Sequence, residues 1–127
     1  MRRLALSLAV VLLAQLGASG AAPADEASRF FSVIEDLPLM AGLREDEAQG
    51  MTFDSPQGRI VEAYAAGSVG RKDVLGFYQA ALPQLGWRAT GPGTFIRERE
   101  VLKVEFPADL QKGRHLTVRF SLAPATD

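Results

Sequence analysis

Two segments near the carboxyl end of the chain alternate regularly between apolar and polar residues. In the first, Leu102, Val104 and Phe106 are separated by charged residues, and in the second the apolar positions recur every second residue over Leu116–Leu122. A period of two places one set of side chains on each face of a strand. Antiparallel sheets often have one buried and one solvated face. The pattern therefore predicts such a sheet, and its buried face needs a covering layer.

The segment Arg71–Leu82 predicts that covering layer, because its apolar residues recur at helical spacing. Asp73 falls in the first turn, where an acidic side chain favours the helix dipole. Gly76 weakens the helix interior by about 1 kcal/mol relative to alanine. Pro83 ends the helix, since proline is costly inside one. The apolar positions are Val74, Phe77, Tyr78, Ala81 and Leu82.

Further strands are predicted before and after this helix. Met51–Asp54 and Arg59–Ala66 flank a turn with proline and glycine, and so predict a hairpin. In the second of these strands we expect the small set Val61, Ala63 and Ala65 to face the helix. Trp87–Thr90 and Thr94–Glu98 flank another glycine and proline turn.

These elements predict one α+β domain over residues 51–127: an antiparallel sheet of about four to six strands, covered on one face by one main helix. Residues 25–50 precede it as an N-terminal segment that is partly extended or helical. Within it, Phe30, Ile34 and Leu37 have the spacing of a short helix over Asp25–Leu37. The charged run Arg44–Glu47 is interpreted as a solvated loop.

Residues 1–24 have the pattern of an export signal. Arg2 and Arg3 precede the mainly apolar run Leu4–Leu16, and Ala22-Pro23-Ala24 fits a cleavage site. The run is short for a membrane span, which needs about 20 apolar residues. We therefore expect a cleaved signal peptide and an exported protein, periplasmic or secreted, without stable membrane insertion. An uncleaved N-terminal anchor is the alternative.

Composition excludes several classes of function. The chain has 14 basic and 15 acidic residues, and removal of the signal would take away two arginines and no acid. Nucleic-acid binding is not expected, because it needs a clustered basic surface. The chain has no cysteine. Disulfides, thiol nucleophiles, thiolate metal sites and a lipid anchor on cysteine are thereby excluded.

No catalytic, metal or cofactor motif is found. His115 is the single histidine, and the strand alternation turns it outward. Ser68 is not in a nucleophile elbow, and Gly67–Lys72 does not match a phosphate-binding loop, although a small anion at this helix start is conceivable. Glu98 and Glu100 lie among basic residues, which keep carboxylates ionised. We therefore expect no enzyme activity and no cofactor.

The helix end carries a more specific signal. Phe77-Tyr78, Leu82-Pro83 and Leu85-Gly86-Trp87 form the pattern F-Y-x-x-x-L-P-x-L-G-W, which marks a helix-to-strand corner. With Leu37-Pro38-Leu39 upstream, the chain resembles a loose group of small exported bacterial α+β proteins, over about residues 37–122. The resemblance implies a fold and a compartment, and no active site. Similar proteins often have glycine where this chain has Arg99.

Two hypotheses for function follow. In the first, the protein is a non-enzymatic domain of the cell envelope that binds a protein partner, through an exposed sheet edge or through an apolar strip. The strip comprises Leu37, Leu39, Met40 and Leu43; the favoured alternative is that these residues pack along the edge of the core. In the second, the domain binds a small apolar or amphiphilic envelope ligand between helix and sheet. Its pocket residues would be Phe77, Tyr78, Leu82 and Trp87.

Overall fold

The structure is a computed structural model, and it describes residues 30–126. The predicted signal peptide lies outside the described residues. Within them, the α+β class is confirmed: an antiparallel sheet of seven strands accompanies one main α-helix. The strands are β1 (Arg44–Glu45), β2 (Met51–Ser55), β3 (Gly58–Gly67), β4 (Arg88–Gly91), β5 (Thr94–Arg97), β6 (Glu100–Glu105) and β7 (Leu116–Pro124); the helix is α1 (Arg71–Ala81), and short 3₁₀ helices lie at Leu82–Leu85 and Ala108–Leu110.

The sheet has the order β1-β3-β7-β6-β5-β4, and β2 pairs with β3 on the same side as β1. β1 raises the number of strands above the predicted four to six. It lies in the charged run predicted to be a solvated loop, where Arg44 pairs with Ala66 and Glu45 with Ala65. This two-residue strand is held by backbone pairing with β3. Its two residues are charged, so it shows no apolar alternation from which a strand could be predicted.

The inner face of the sheet carries the core. The register aligns Val61 with Leu122, and Leu122 with Leu102. Ala63 lies opposite Phe120, and all five of these side chains are buried. The small set of β3 therefore points inward, as the sequence predicts. We call the opposite side the open face.

α1 packs on the inner face with Val74 and Tyr78 buried. The ring centroids of Tyr78 and Phe120 lie 5.0 Å apart. After the 3₁₀ helix at Leu82–Leu85, Gly86 adopts a left-handed conformation with φ of 90° and leads into Trp87. The predicted helix-to-strand corner is thus present. In the following β5–β6 turn, the positive φ falls on Glu98 rather than on Arg99.

The rest of the inner face is covered by residues 30–43, which we call the strap. The short helix predicted over Asp25–Leu37 is absent from residues 30–37, the part of that range which the structure describes. Instead, Phe30 and Pro38 form an isolated bridge, and the Phe31 N–H group donates to Leu37 O at 3.0 Å. This loop turns Phe31, Ile34 and Leu37 into the core and leaves Phe30 exposed. The helical spacing in the sequence had predicted that Phe30, rather than Phe31, lies on the same face as Ile34 and Leu37. The strap thus shares one core with the strands and α1.

The strap crosses the end of β3 at very close range. Gly67 is buried there, and a Cβ atom added to it would lie 1.9 Å from the carbonyl oxygen of Gly42. Gly42 itself has a positive φ of 94°. The crossing therefore requires glycine at position 67, since no side chain fits between the two backbones.

We predict that Gly67→Ala lowers the free energy of unfolding by about 1–3 kcal/mol, the usual range for overpacking, or by more if the strap detaches. Gly76→Ala is the matched control, because a Cβ atom there meets nothing within 4 Å. In the helix interior it should stabilise by about 0.5–1 kcal/mol. Urea unfolding of the two variants measures both changes. Equal midpoints would contradict the close crossing.

Candidate functional site

The four residues predicted to line a ligand pocket are used to fill the space between α1 and the sheet. Tyr78 and Leu82 are fully buried, and Trp87 is 3% exposed. Phe77 is half-buried and packs edge-on against Tyr78, with ring centroids 4.9 Å apart. The structure therefore brings the four residues together as packed core. Two shallow cavities of about 410 and 310 Å³ lie elsewhere, on the surface.

The polar tip of Tyr78 fastens the strap to α1. Its hydroxyl donates to Pro38 O at 2.8 Å and accepts a hydrogen bond from Met40 N–H at 3.3 Å. Burial of the phenol raises the pKa of Tyr78 well above its ordinary value, and the bond from Met40 opposes this only in part. The sequence suggested that this hydroxyl lies at the mouth of a ligand pocket. In the structure it links the strap to α1.

Trp87 is closed off from solvent by Arg97. The guanidinium carbon of Arg97 lies 4.3 Å from the centroid of the indole ring. The same side chain donates to Leu85 O at 3.1 Å and forms an ion pair with Asp36 of the strap at 2.7 Å. A cation stacked on an aromatic face is favourable, so this cluster joins strap, corner and β5.

The predicted partner-binding strip belongs largely to the core. Leu37 and Leu43 are buried, while Leu39 and Met40 are half-buried and pack against the core cluster. These positions favour the alternative in which the strip packs along the core. Binding of a partner by the half-buried Leu39 and Met40 stays a prediction.

The other candidates from the sequence are dispersed. Ser68, Glu98 and His115 are exposed. His115 borders a shallow surface cavity of about 310 Å³ beside Arg71 and Arg114. Between residues 30 and 126, no three His, Asp or Glu side chains are grouped so that they could hold a metal ion.

The open face carries a surface that sequence reasoning missed. Phe53 lies opposite Ile60, and Val101 lies opposite both Ala123 and Ile96. Ile60 and Ala123 occupy the next position of the β3–β7 register. These five side chains form a continuous line across five strands, which we call the apolar row. Its inner members are half-buried, whereas Phe53 is 54% exposed and its neighbour Met51 is 49% exposed.

A sequence signal for the apolar row exists. Four strands contain two consecutive apolar residues, namely Ile60-Val61, Phe95-Ile96, Val101-Leu102 and Leu122-Ala123. Because successive residues point to opposite faces, each pair supplies one apolar side chain to the open face. Cross-strand register then decides whether these side chains meet, and register cannot be read from alternation alone.

The apolar row ends at β2, the outer strand on this side. The Asp46 N–H group donates to Tyr64 O at 2.8 Å, so the backbone of Tyr64 points towards β1 and β2. By alternation, Ile60 and Glu62 do the same and bond to their partners Phe53 and Met51. The backbone groups of Thr52 and Asp54 consequently point outward, where β2 has no neighbouring strand within residues 30–126.

The two edges of the sheet differ in their protection. β4, at the far edge, has an irregular register between Ala89 and Gly91, begins with Arg88 and is followed by Pro92. Bulges, charges and prolines are devices that block pairing with further strands. β2 reads Met-Thr-Phe-Asp-Ser and pairs with β3 in unbroken register over its whole length. Asp54 lies within it and Pro56 follows it, but its unbroken register leaves a regular edge that can accept a further strand.

No match to this chain is found among family models, curated proteins or solved structures. Of the helices in residues 30–126, none has the length and apolar character needed to cross a membrane. The candidate site therefore rests on its geometry: an edge strand with unbroken register, β2, with exposed apolar side chains at the end of the apolar row.

We predict that Tyr78→Phe destabilises the protein at neutral pH by about 1–2 kcal/mol, because Pro38 O and Met40 N–H lose a shared partner. The effect should depend on pH. Burial raises the pKa of Tyr78 in the folded state above its ordinary value near 10, so the unfolded chain loses this proton first as the pH rises.

The stability that the neutral phenol contributes is thus present below about pH 10 and declines above it, by at most about 1.4 kcal/mol per pH unit. Tyr78→Phe lacks this decline, so its deficit relative to the native protein should shrink above pH 10. Urea midpoints for both proteins between about pH 8 and pH 11 measure the difference. Curves that stay parallel over this range would show that the phenol ionises equally in both states.

Proposed function

We propose that the protein is an exported, non-enzymatic interaction domain of the cell envelope. It binds an extended segment of a protein partner at the outer edge of β2, by strand addition. The observation that carries this proposal is the combination, in one edge strand, of outward backbone groups at Thr52 and Asp54 with exposed apolar side chains at Met51 and Phe53. Export itself is inferred from residues 1–24.

Main-chain hydrogen bonds would supply affinity in this binding mode. An incoming strand pairs with outward N–H and C=O groups, while alternate side chains determine specificity. Here the incoming side chains on the open face would lie beside Met51 and Phe53. A partner segment with apolar residues at every second position would therefore extend the apolar row and remove these exposed side chains from water.

The charges around β2 indicate a further property of the partner. Asp46 and Glu47 lie before the strand, whereas Asp54, within it, lies opposite the basic Arg59 of β3. An incoming strand with a basic residue near the end that lies beside Asp46 and Glu47 would be attracted there. The preferred partner segment thus has apolar residues at alternate positions and a basic residue near that end.

The alternative function, binding of a small envelope ligand between helix and sheet, has weaker support. Tyr78 and Leu82 fill that space completely, and the hydroxyl of Tyr78 is used by the strap. A ligand would have to displace these core side chains and break the hydrogen bond of Tyr78 to the strap.

A photo-crosslinking amino acid at position 53 tests the proposal in cells that produce the full chain. We expect one discrete crosslinked product, because this side chain lies beside the added strand. The same amino acid at Leu85 is the control: Leu85 is also an exposed apolar residue, but it lies in the 3₁₀ helix away from β2. Identical patterns at both positions would contradict the proposal.

The variant Thr52→Pro distinguishes strand addition from non-specific apolar binding. The Thr52 N–H points away from β3, so proline there removes a donor that the fold does not use, as edge strands tolerate. With this change the crosslink at position 53 should disappear while the circular dichroism spectrum and thermal midpoint remain close to native. Retention of the crosslink in a folded Thr52→Pro variant would exclude strand addition.

A further inference from the structure

We propose that the strand added at β2 is β2 of a second copy of this chain, so that two copies form a symmetric dimer with one continuous sheet. This inference rests on the proposed function and names its partner. It follows from three properties of the edge, namely its pairing pattern, its charges and the position of the apolar row.

The pairing pattern of β2 is self-complementary. In an antiparallel arrangement centred on Phe53, Thr52 lies opposite Asp54 of the second copy, and Met51 lies opposite Ser55 of the second copy. Thr52 and Asp54 are the residues whose backbone groups point outward, so each such pair exchanges its N–H and C=O groups. Neither pair places like charges together.

The two Phe53 residues meet at the symmetry axis. They form a pair without mutual backbone hydrogen bonds, in which Cα atoms are about 4.5 Å apart and side chains are closest. Both rings lie on the open face, where each is 54% exposed in the single chain. Cross-strand aromatic pairs are favourable, so the axis of the dimer buries the most exposed part of both apolar rows.

The two ends of β2 differ in charge. Near the turn, Asp54 lies opposite the exposed Arg59 of β3, whereas Asp46 and Glu47 precede the other end. Antiparallel pairing brings the turn of each copy, with its Arg59, to the end where Asp46 and Glu47 of the other copy lie. Parallel pairing would instead place the acidic ends of both copies together, so the charges favour the antiparallel orientation.

Sedimentation velocity on the purified protein, produced from the full chain, tests the inference over a concentration series. We expect a monomer–dimer equilibrium, because a short strand pair is an interface at the small end of the usual range. Phe53→Asp should raise the dissociation constant at least about tenfold, since it replaces an aromatic pair at the centre with two like charges. Leu85→Asp, a control with the same chemical change outside β2, should leave the equilibrium unchanged.

Cysteine crosslinking tests the register. The chain contains no cysteine, so each introduced thiol reports on one position alone. Phe53→Cys should form an intermolecular disulfide under mild oxidation, because the paired Cα atoms fall close to the range of about 4.4–6.8 Å that a disulfide spans. Leu85→Cys should remain reduced. Efficient dimer formation by Leu85→Cys and not by Phe53→Cys would place the interface elsewhere.

The outcomes distinguish this inference from the proposed function. A protein that stays monomeric up to about 1 mM, with the in-cell crosslink at position 53 made to a different protein, would overturn the dimer and leave strand addition standing. A dimer that Phe53→Asp and Thr52→Pro do not weaken would overturn the inference as well, because its interface would not use β2.

Discussion

One polar link between the layers, the hydroxyl of Tyr78, orients the strap on α1. It joins α1 to the backbone of Pro38 and Met40 and so holds the strap against the sheet. Without the strap, α1 alone would leave part of the inner face uncovered, because Phe31 of the strap packs on Phe120 with ring centroids 4.6 Å apart. Burying a hydroxyl is unfavourable unless it is bonded, and here donor and acceptor roles are both satisfied. Because hydrogen bonds are directional and apolar packing is not, this link determines how the strap is oriented on α1.

Full coverage of the inner face determines where binding can occur. Helix, corner and strap occupy the space that a ligand pocket would need, and Arg97 stacks over the one tryptophan at its margin. The exposed large apolar side chains of residues 30–126 are then Phe30 of the strap, Leu85 of the corner, and Met51 and Phe53 of β2. A domain of this size exposes single apolar residues routinely. Phe53 and Met51 differ because they continue a line of apolar side chains and flank unpaired backbone groups.

The sequence predicted the sheet and the helix of the fold more fully than the arrangement of the exposed side chains. Alternation in β6 and β7 predicted the sheet, and helical spacing in α1 predicted its main helix. The inward set Val61, Ala63 and Ala65 was predicted as well. Buried positions recur with the period of their strand or helix, so they can be recognised in the sequence. β1 left no such pattern, since its two residues are charged and pair with β3 through the backbone, while the Glu45 carboxylate accepts hydrogen bonds from Ser32 of the strap. The strap was misread as helical because Phe30 and Phe31 are adjacent, and only the bridge to Pro38 decides which ring turns inward. The apolar row depends on register between distant strands.

The contrast between the two edges bears most directly on function. Both edge strands face the same hazard of uncontrolled pairing, and β4 carries a charge, a register irregularity and a following proline against it. β2 also contains a charge, Asp54, and is followed by Pro56, but it pairs with β3 in unbroken register over its whole length. The regular register of β2 and the irregular register of β4 therefore favour strand addition at β2. A closed assembly through β2 would cover this regular edge and leave the irregular β4 edge of each copy exposed to solvent.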